Sequence, residues 1–149
     1  MKVVFRVDAS LAMGTGHVMR CLTLAQVLKK NGANVEFICR KHKGSLIDKI
    51  RSNGFVVYEL ELYGEADVDT SLAHSHWLGV TQQQDADDCV DILKVEKLDW
   101  LIVDHYALDE QWQKKLKPYY EKIIVIDDLA DRKHQCDILL DQTFGRQQE

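Results

Sequence analysis

Proline is nearly missing from this chain, with one in 149 residues, and there is no low-complexity stretch. That excludes a proline-rich spacer or a disordered tail as its main content, and 46% hydrophobic residues suffice for a packed core. Cysteine is sparse and unpaired in pattern: Cys21, Cys39, Cys89 and Cys136 form no C-x-x-C. Scattered thiols, with no secretion signal ahead of the first apolar run, indicate a reducing cytoplasm and small buried hydrophobes instead of ligands. Positive charge is in deficit, 19 Lys and Arg against 24 Asp and Glu, for a net charge of −5. Without a basic stripe, neither nucleic acid nor an anionic membrane is an expected partner. No apolar run approaches the roughly 20 residues of a membrane span. The length fits one domain.

What is present is an alternation of short apolar runs and amphipathic stretches. Lys2 to Val7 reads as a strand. His17 to Lys30 reads as a helix, its apolar face made by Val18, Cys21, Leu22, Ala25 and Leu28 and its end marked by Asn31-Gly32. Strands are expected over Val35–Cys39, Phe55–Leu60, Trp100–Val103, Ile123–Ile126 and Ile138–Leu140. Helices are expected from a Ser45 cap to Arg51, over Gln83–Val95, and from Leu108-Asp109 to about Lys117, where Pro118 stops it. The strands are near-continuous apolar runs, as strands buried on both faces are. The expected class is α/β: a Rossmann-like open, mostly parallel sheet with helices on both faces.

Ligands of such sheets bind outside the carboxyl ends of the strands. Those ends are polar here: Asp8 and Ser10, Asp104-His105-Tyr106, Asp127-Asp128, and Asp141-Gln142. Each aspartate alone reads as a cap or turn residue; together they read as a site. Between the first strand and its helix lies Gly14-Thr15-Gly16-His17. Glycine lets backbone approach a ligand, and the amides of a first helical turn attract an anion. The loop lacks the third glycine of a dinucleotide fingerprint and the Gly-Lys-Ser/Thr of a P-loop, so NAD and ATP are disfavoured and no cofactor is expected. His17 has two readings: a hydrogen-bonded helix histidine, or a general base that the positive helix end keeps neutral. Arg20, one turn on, reads either as a phosphate or carboxylate contact or as an ion pair to a nearby aspartate. Asp67-Val68-Asp69 imitates a metal–nucleotide motif but follows no strand, and His74-Ser75-His76-Trp77 lacks ligand partners at metal spacing, so no metal is expected.

Three segments carry a resemblance. They are Arg6-x-Asp8-Ala9-Ser10 through Met13-Gly14-x-Gly16-His17-x-x-Arg20-Cys21-x-x-Leu24-Ala25; Asp104-His105-Tyr106-x-Leu108-Asp109-x-x-Trp112; and Ile126-Asp127-Asp128-Leu129-Ala130-Asp131-Arg132-x-His134-x-Cys136-Asp137-x-Leu139-Leu140-Asp141-Gln142. In this order they resemble the UDP-sugar hydrolases of pseudaminic acid biosynthesis, which act on UDP-2,4-diacetamido-2,4,6-trideoxy-β-L-altropyranose. Thr143 departs from the asparagine usual in that family after Asp-Gln. The resemblance implies the amino-terminal domain of a MurG-like GT-B fold over residues 1–149, with a UDP-binding second domain expected beyond it. It implies His17 as the base for inverting attack of water, and Asp8, Gly14, Thr15, Gly16, Arg20, His105, Tyr106, Asp127, Asp128 and Gln142 as substrate contacts. A glycosyltransferase using the same histidine and a non-catalytic anion-binding domain are the alternatives.

Overall fold

A computed structural model of the chain describes residues 1–62, 75–129 and 131–141. The chain order is β1 (Lys2–Val7), α1 (Gly16–Lys30), β2 (Asn34–Arg40), α2 (Ile47–Ser52), β3 (Val56–Leu60), α3 (Gln82–Leu93), β4 (Leu98–Asp104), α4 (Glu110–Leu116), β5 (Tyr120–Ile126) and β6 (Ile138–Leu140). Single 3-10 turns stand at Ser75–Leu78 and Lys117–Tyr119. All pairings are parallel and the sheet order is β3-β2-β1-β4-β5-β6. This is the open Rossmann-like sheet the alternation implies.

Strand alternation divides the core. Val3, Phe5, Val7, Phe37 and Ile102 pack against Val18, Cys21, Leu22 and Ala25 of α1 and Ile47 and Ile50 of α2. Val4, Ile38, Leu101 and Val103 face Ala86, Cys89 and Leu93 of α3 and Trp112 and Leu116 of α4. Helices therefore cover both faces, and the apolar stripe of α1 is the one its spacing predicts.

Some boundaries move for local reasons. The second helix starts at Ile47, not at a Ser45 cap, because Gly44 at φ 84° closes a turn in which the Ser45 amide bonds to His42. The third gains Gln82, since Thr81 supplies the cap by accepting from the Gln84 amide, and ends at Leu93 instead of Val95. Asp109 caps α4 through the Gln111 amide. The β5–β6 connection contains no helix among its described residues. Arg132 donates to the Leu108 carbonyl, the Glu110 amide to the Lys133 carbonyl, and the Gln135 amide to Gln113, which straps this segment onto α4.

Candidate active site

Strand order reverses between β1 and β4, and parallel registry aligns Val7 with Asp104. The polar strand ends thus meet at a switch point, the usual ligand crevice of open α/β sheets. After β1 the chain turns back on itself: the Gly14 amide bonds to the Ser10 carbonyl and the Met13 amide to Ser10 Oγ. Gly14 needs its φ of 76°, which side chains rarely adopt. Gly14, Thr15 and Gly16 are exposed, and α1 starts with neither a side-chain cap nor an acidic residue in its first turn. No side chain caps its leading amides, the arrangement in which a helix start can receive an anion.

Asp104 and His17 form the centre. His17 Nδ1 lies 2.5 Å from Asp104 Oδ1, and both residues are buried. A carboxylate only accepts, so Nδ1 carries a hydrogen, and of the two neutral tautomers this one leaves the lone pair on Nε2. Arg20 grips the same carboxylate in two places, at 2.5 Å and 2.6 Å, and reaches Asp128 at 2.5 Å. The ion pair expected of Arg20 as one of its two readings is formed, with Asp104 and with Asp128. Burial pushes the Asp104 carboxyl up, but bonds from Arg20 and His17 outweigh it and hold it below the ordinary range. Tyr106 sets its ring edge-on to His17 with centroids 4.4 Å apart, and Trp77 stacks on Tyr106 at 5.9 Å.

Other predicted residues lie behind this wall. Asp8 is fully buried, and its oxygens accept from Arg6 (2.6 and 3.1 Å), the Arg40 amide (2.7 Å), His42 (3.1 Å) and His105 (3.0 Å). Burial raises its carboxyl, yet Arg6 and the two histidines hold it well below the usual range. Arg6 also binds Asp85, which in turn bonds Arg40 and the Trp112 indole. Asp127 is equally enclosed. Its carboxylate accepts from His134 at 2.7 Å and from the Leu129 amide at 3.0 Å, with Arg132 as ion-pair partner. Against the upward push of burial, these partners hold it at about 2.

The structure therefore gathers His17, Arg20, Tyr106 and Asp128 beside the uncapped α1 amides. It sets Asp8, His105 and Asp127 in the interior of the same sheet edge. Gln142, Thr143, Asp67, Asp69 and His74 lie outside the described residues. Among the described residues no group of three metal-binding side chains is found. Sequence reading missed the pairing of Asp104 with His17, Trp77, and the buried Asp85. Asp104 was readable as the strand-end residue on the α1 face, two places after core-facing Ile102. Asp85 carried only a weak signal, an acid one place before the apolar stripe of α3.

No protein-family model matches the chain. It is 34% identical over 141 residues to the UDP-2,4-diacetamido-2,4,6-trideoxy-beta-L-altropyranose hydrolase of Campylobacter jejuni, covering 94% of this chain and 41% of that protein. Uncharacterized protein MJ1062 of Methanocaldococcus jannaschii is 28% identical over 146 residues, 97% of this chain and 25% of that one. The chain spans less than half the length of these curated relatives. Among solved structures, Acinetobacter baumannii MurG superimposes with a TM-score of 0.56 at 13% identity, over 87% of this chain and 36% of that chain. That likeness shows the fold. The resemblance carried by the three motifs holds across nearly the whole domain.

Proposed function

We propose, from the kinship with the altropyranose hydrolase, that this domain supplies the base and the sugar-side wall of an enzyme that cleaves a UDP-sugar. The observation that carries the reading is the Asp104–His17 pair at the switch point, 2.5 Å apart and next to a helix start with uncapped amides. Asp104 fixes the tautomer that leaves Nε2 free to accept a proton. A water held there loses a proton to Nε2 as its oxygen bonds the anomeric carbon. The bond from that carbon to the phosphate oxygen breaks on the opposite face, and UDP departs with the electron pair, inverting the centre. Asp104 then offsets the imidazolium charge. UDP-2,4-diacetamido-2,4,6-trideoxy-β-L-altropyranose is the substrate we favour, which places the reaction in pseudaminic acid biosynthesis.

In this reading Gly14, Thr15 and Gly16 face the diphosphate, and Tyr106, Asp128 and Gln142 border the sugar. Arg20, Asp8, His105 and Asp127 hold the wall in place. The remaining length of the relatives would supply a second domain that grips UDP, so the 149 residues alone should fold and turn over poorly. The test is UDP release from that nucleotide sugar by a longer protein carrying this domain, as wild type and His17→Asn, with the product anomer followed by NMR. Loss of turnover with retained folding and UDP binding supports the reading. A near-normal rate for the variant removes His17 from the chemistry. Appearance of a new glycoside in place of free sugar would assign transfer to a hydroxyl acceptor.

A further inference from the structure

Two contacts to the His17 ring come from the end of β4 and the residues just after it: the Asp104 carboxylate and the Tyr106 ring edge. Between them in sequence sits His105, which is 3% exposed and turned away toward β1. Both of its ring nitrogens are engaged. The Ala107 amide donates to Nδ1 at 3.1 Å, so the hydrogen resides on Nε2, which donates to Asp8 Oδ2 at 3.0 Å. Asp8 is itself immobilised by Arg6, by His42 and by the Arg40 amide of β2. Burial holds the His105 imidazole toward its neutral form, which this bonding pattern needs, because a second ring hydrogen would collide with the Ala107 N–H.

We propose that His105 is a positioning residue: its bond to Asp8 ties the end of β4 to the ends of β1 and β2 and thereby sets the Asp104 orientation that fixes the His17 tautomer and the Tyr106 ring that packs against it. The consequence for catalysis rests on reading His17 as the base. The geometric claim does not, and it is read out separately.

Two substitutions separate the links. Gln at 105 places an amide nitrogen where Nε2 stood and keeps a donor for Asp8. Asn places its oxygen where Nδ1 stood, keeps the Ala107 bond and drops the Asp8 link. The experiment is long-range proton–nitrogen NMR of the histidine rings in the 149-residue protein, wild type, His105→Gln and His105→Asn, at neutral pH. Wild type should show His17 hydrogenated at Nδ1 and His105 at Nε2. His105→Gln should preserve the well-separated His17 nitrogen signals, and His105→Asn should collapse them toward the tautomer-averaged position. His17 signals in His105→Asn equal to wild type, or an equal collapse in His105→Gln, would overturn the proposal. Should either variant not fold, the wild-type spectrum still decides: His105 found hydrogenated at Nδ1, or doubly protonated at neutral pH, refutes it. Because UDP release is not the readout, a failed hydrolase assay leaves this result standing, and the reverse.

Discussion

Asp104→Asn is the sharpest perturbation of the proposed chemistry. The change keeps shape and removes one charge from a carboxylate that serves His17 once and Arg20 twice. Arg20 Nε bonds Asp104 Oδ2, while Arg20 Nη2 and His17 Nδ1 share Oδ1; the informative rotamer of the new amide keeps its oxygen on Arg20 Nε, with Arg20 also held by Asp128. The NH2 group of that amide then faces His17 Nδ1, which must become an acceptor. The ring hydrogen moves to Nε2, and the base is blocked by its own proton. General-base catalysis contributes about 10²–10⁴ in rate, and a histidine forced into the wrong tautomer loses on the order of 10⁴. The expected fall in kcat is therefore about 10²–10⁴, or roughly 3–5 kcal/mol of barrier. Stability should fall less, by about 1–3 kcal/mol, since both Arg20 and the substituted side chain keep partners. The assay is UDP release at saturating sugar nucleotide by a longer protein carrying the domain, beside its urea midpoint. A folded variant with kcat within about threefold of wild type would refute the tautomer argument.

Other tests address the buried charges. Asp127 is held at about 2 against an ordinary carboxylate value near 3.9, so its folded form is stabilised by roughly 2.5 kcal/mol above about pH 4. The sign follows from a depressed folded-state pKa: this stability is present above the unfolded value and is lost as pH falls from about 4 toward 2. Urea unfolding of wild type and Asp127→Asn across that range should converge at low pH, and parallel curves would contradict it. Asp85→Ala leaves Arg6 and Arg40 short of a buried counter-charge and the Trp112 indole without its acceptor. A loss of about 3–5 kcal/mol is expected by thermal or chemical unfolding, enough to prevent folding, and a change below about 1 kcal/mol would show the network to be relaxed.

Much of this was legible from the residues because local signals agreed. The apolar runs of β1, β2 and β4 have no solvent-facing alternation, which only a sheet covered on both faces allows, and β6 was bounded to the residue. The α1 stripe appears as spaced, with Cys21 and Ala25 fully buried. Less legible was which side of the sheet edge each polar strand end faces. Asp8 and Asp104 look alike as carboxylates closing apolar runs, yet one serves the interior and the other the cleft. That choice depends on strand register and on Arg6, an arginine inside a strand whose side chain is fully buried. Nor does spacing reveal Asp85, because its arginine and indole partners come from β1, β2 and α4, 27 to 79 residues away in sequence. The strap from Asp131 to Asp137 explains why the third motif is so polar: Asp127, Arg132 and His134 hold a connection that has no described helix to hold it.

The sign of charge along the edge bears on the reaction. Arg20 is paired with Asp104 and Asp128, so this trio carries a net negative charge beside His17. A diphosphate would be repelled there and drawn instead to the uncapped amides of α1, where no acidic side chain stands in the first turn. The anomeric carbon is the opposite case. Cleavage of a glycosidic bond builds positive charge on the sugar in the transition state. In the proposed reaction, with the phosphates at the helix start and the sugar over His17, the carboxylate-rich side would meet the developing cation and the helix end the departing anion. On this argument Asp128→Asn, which removes one charge and leaves His17 and Asp104 in place, should lower kcat by about tenfold with little change in KM. The same loss appearing wholly in KM would mean that Asp128 binds the ground-state sugar and the charge argument is wrong.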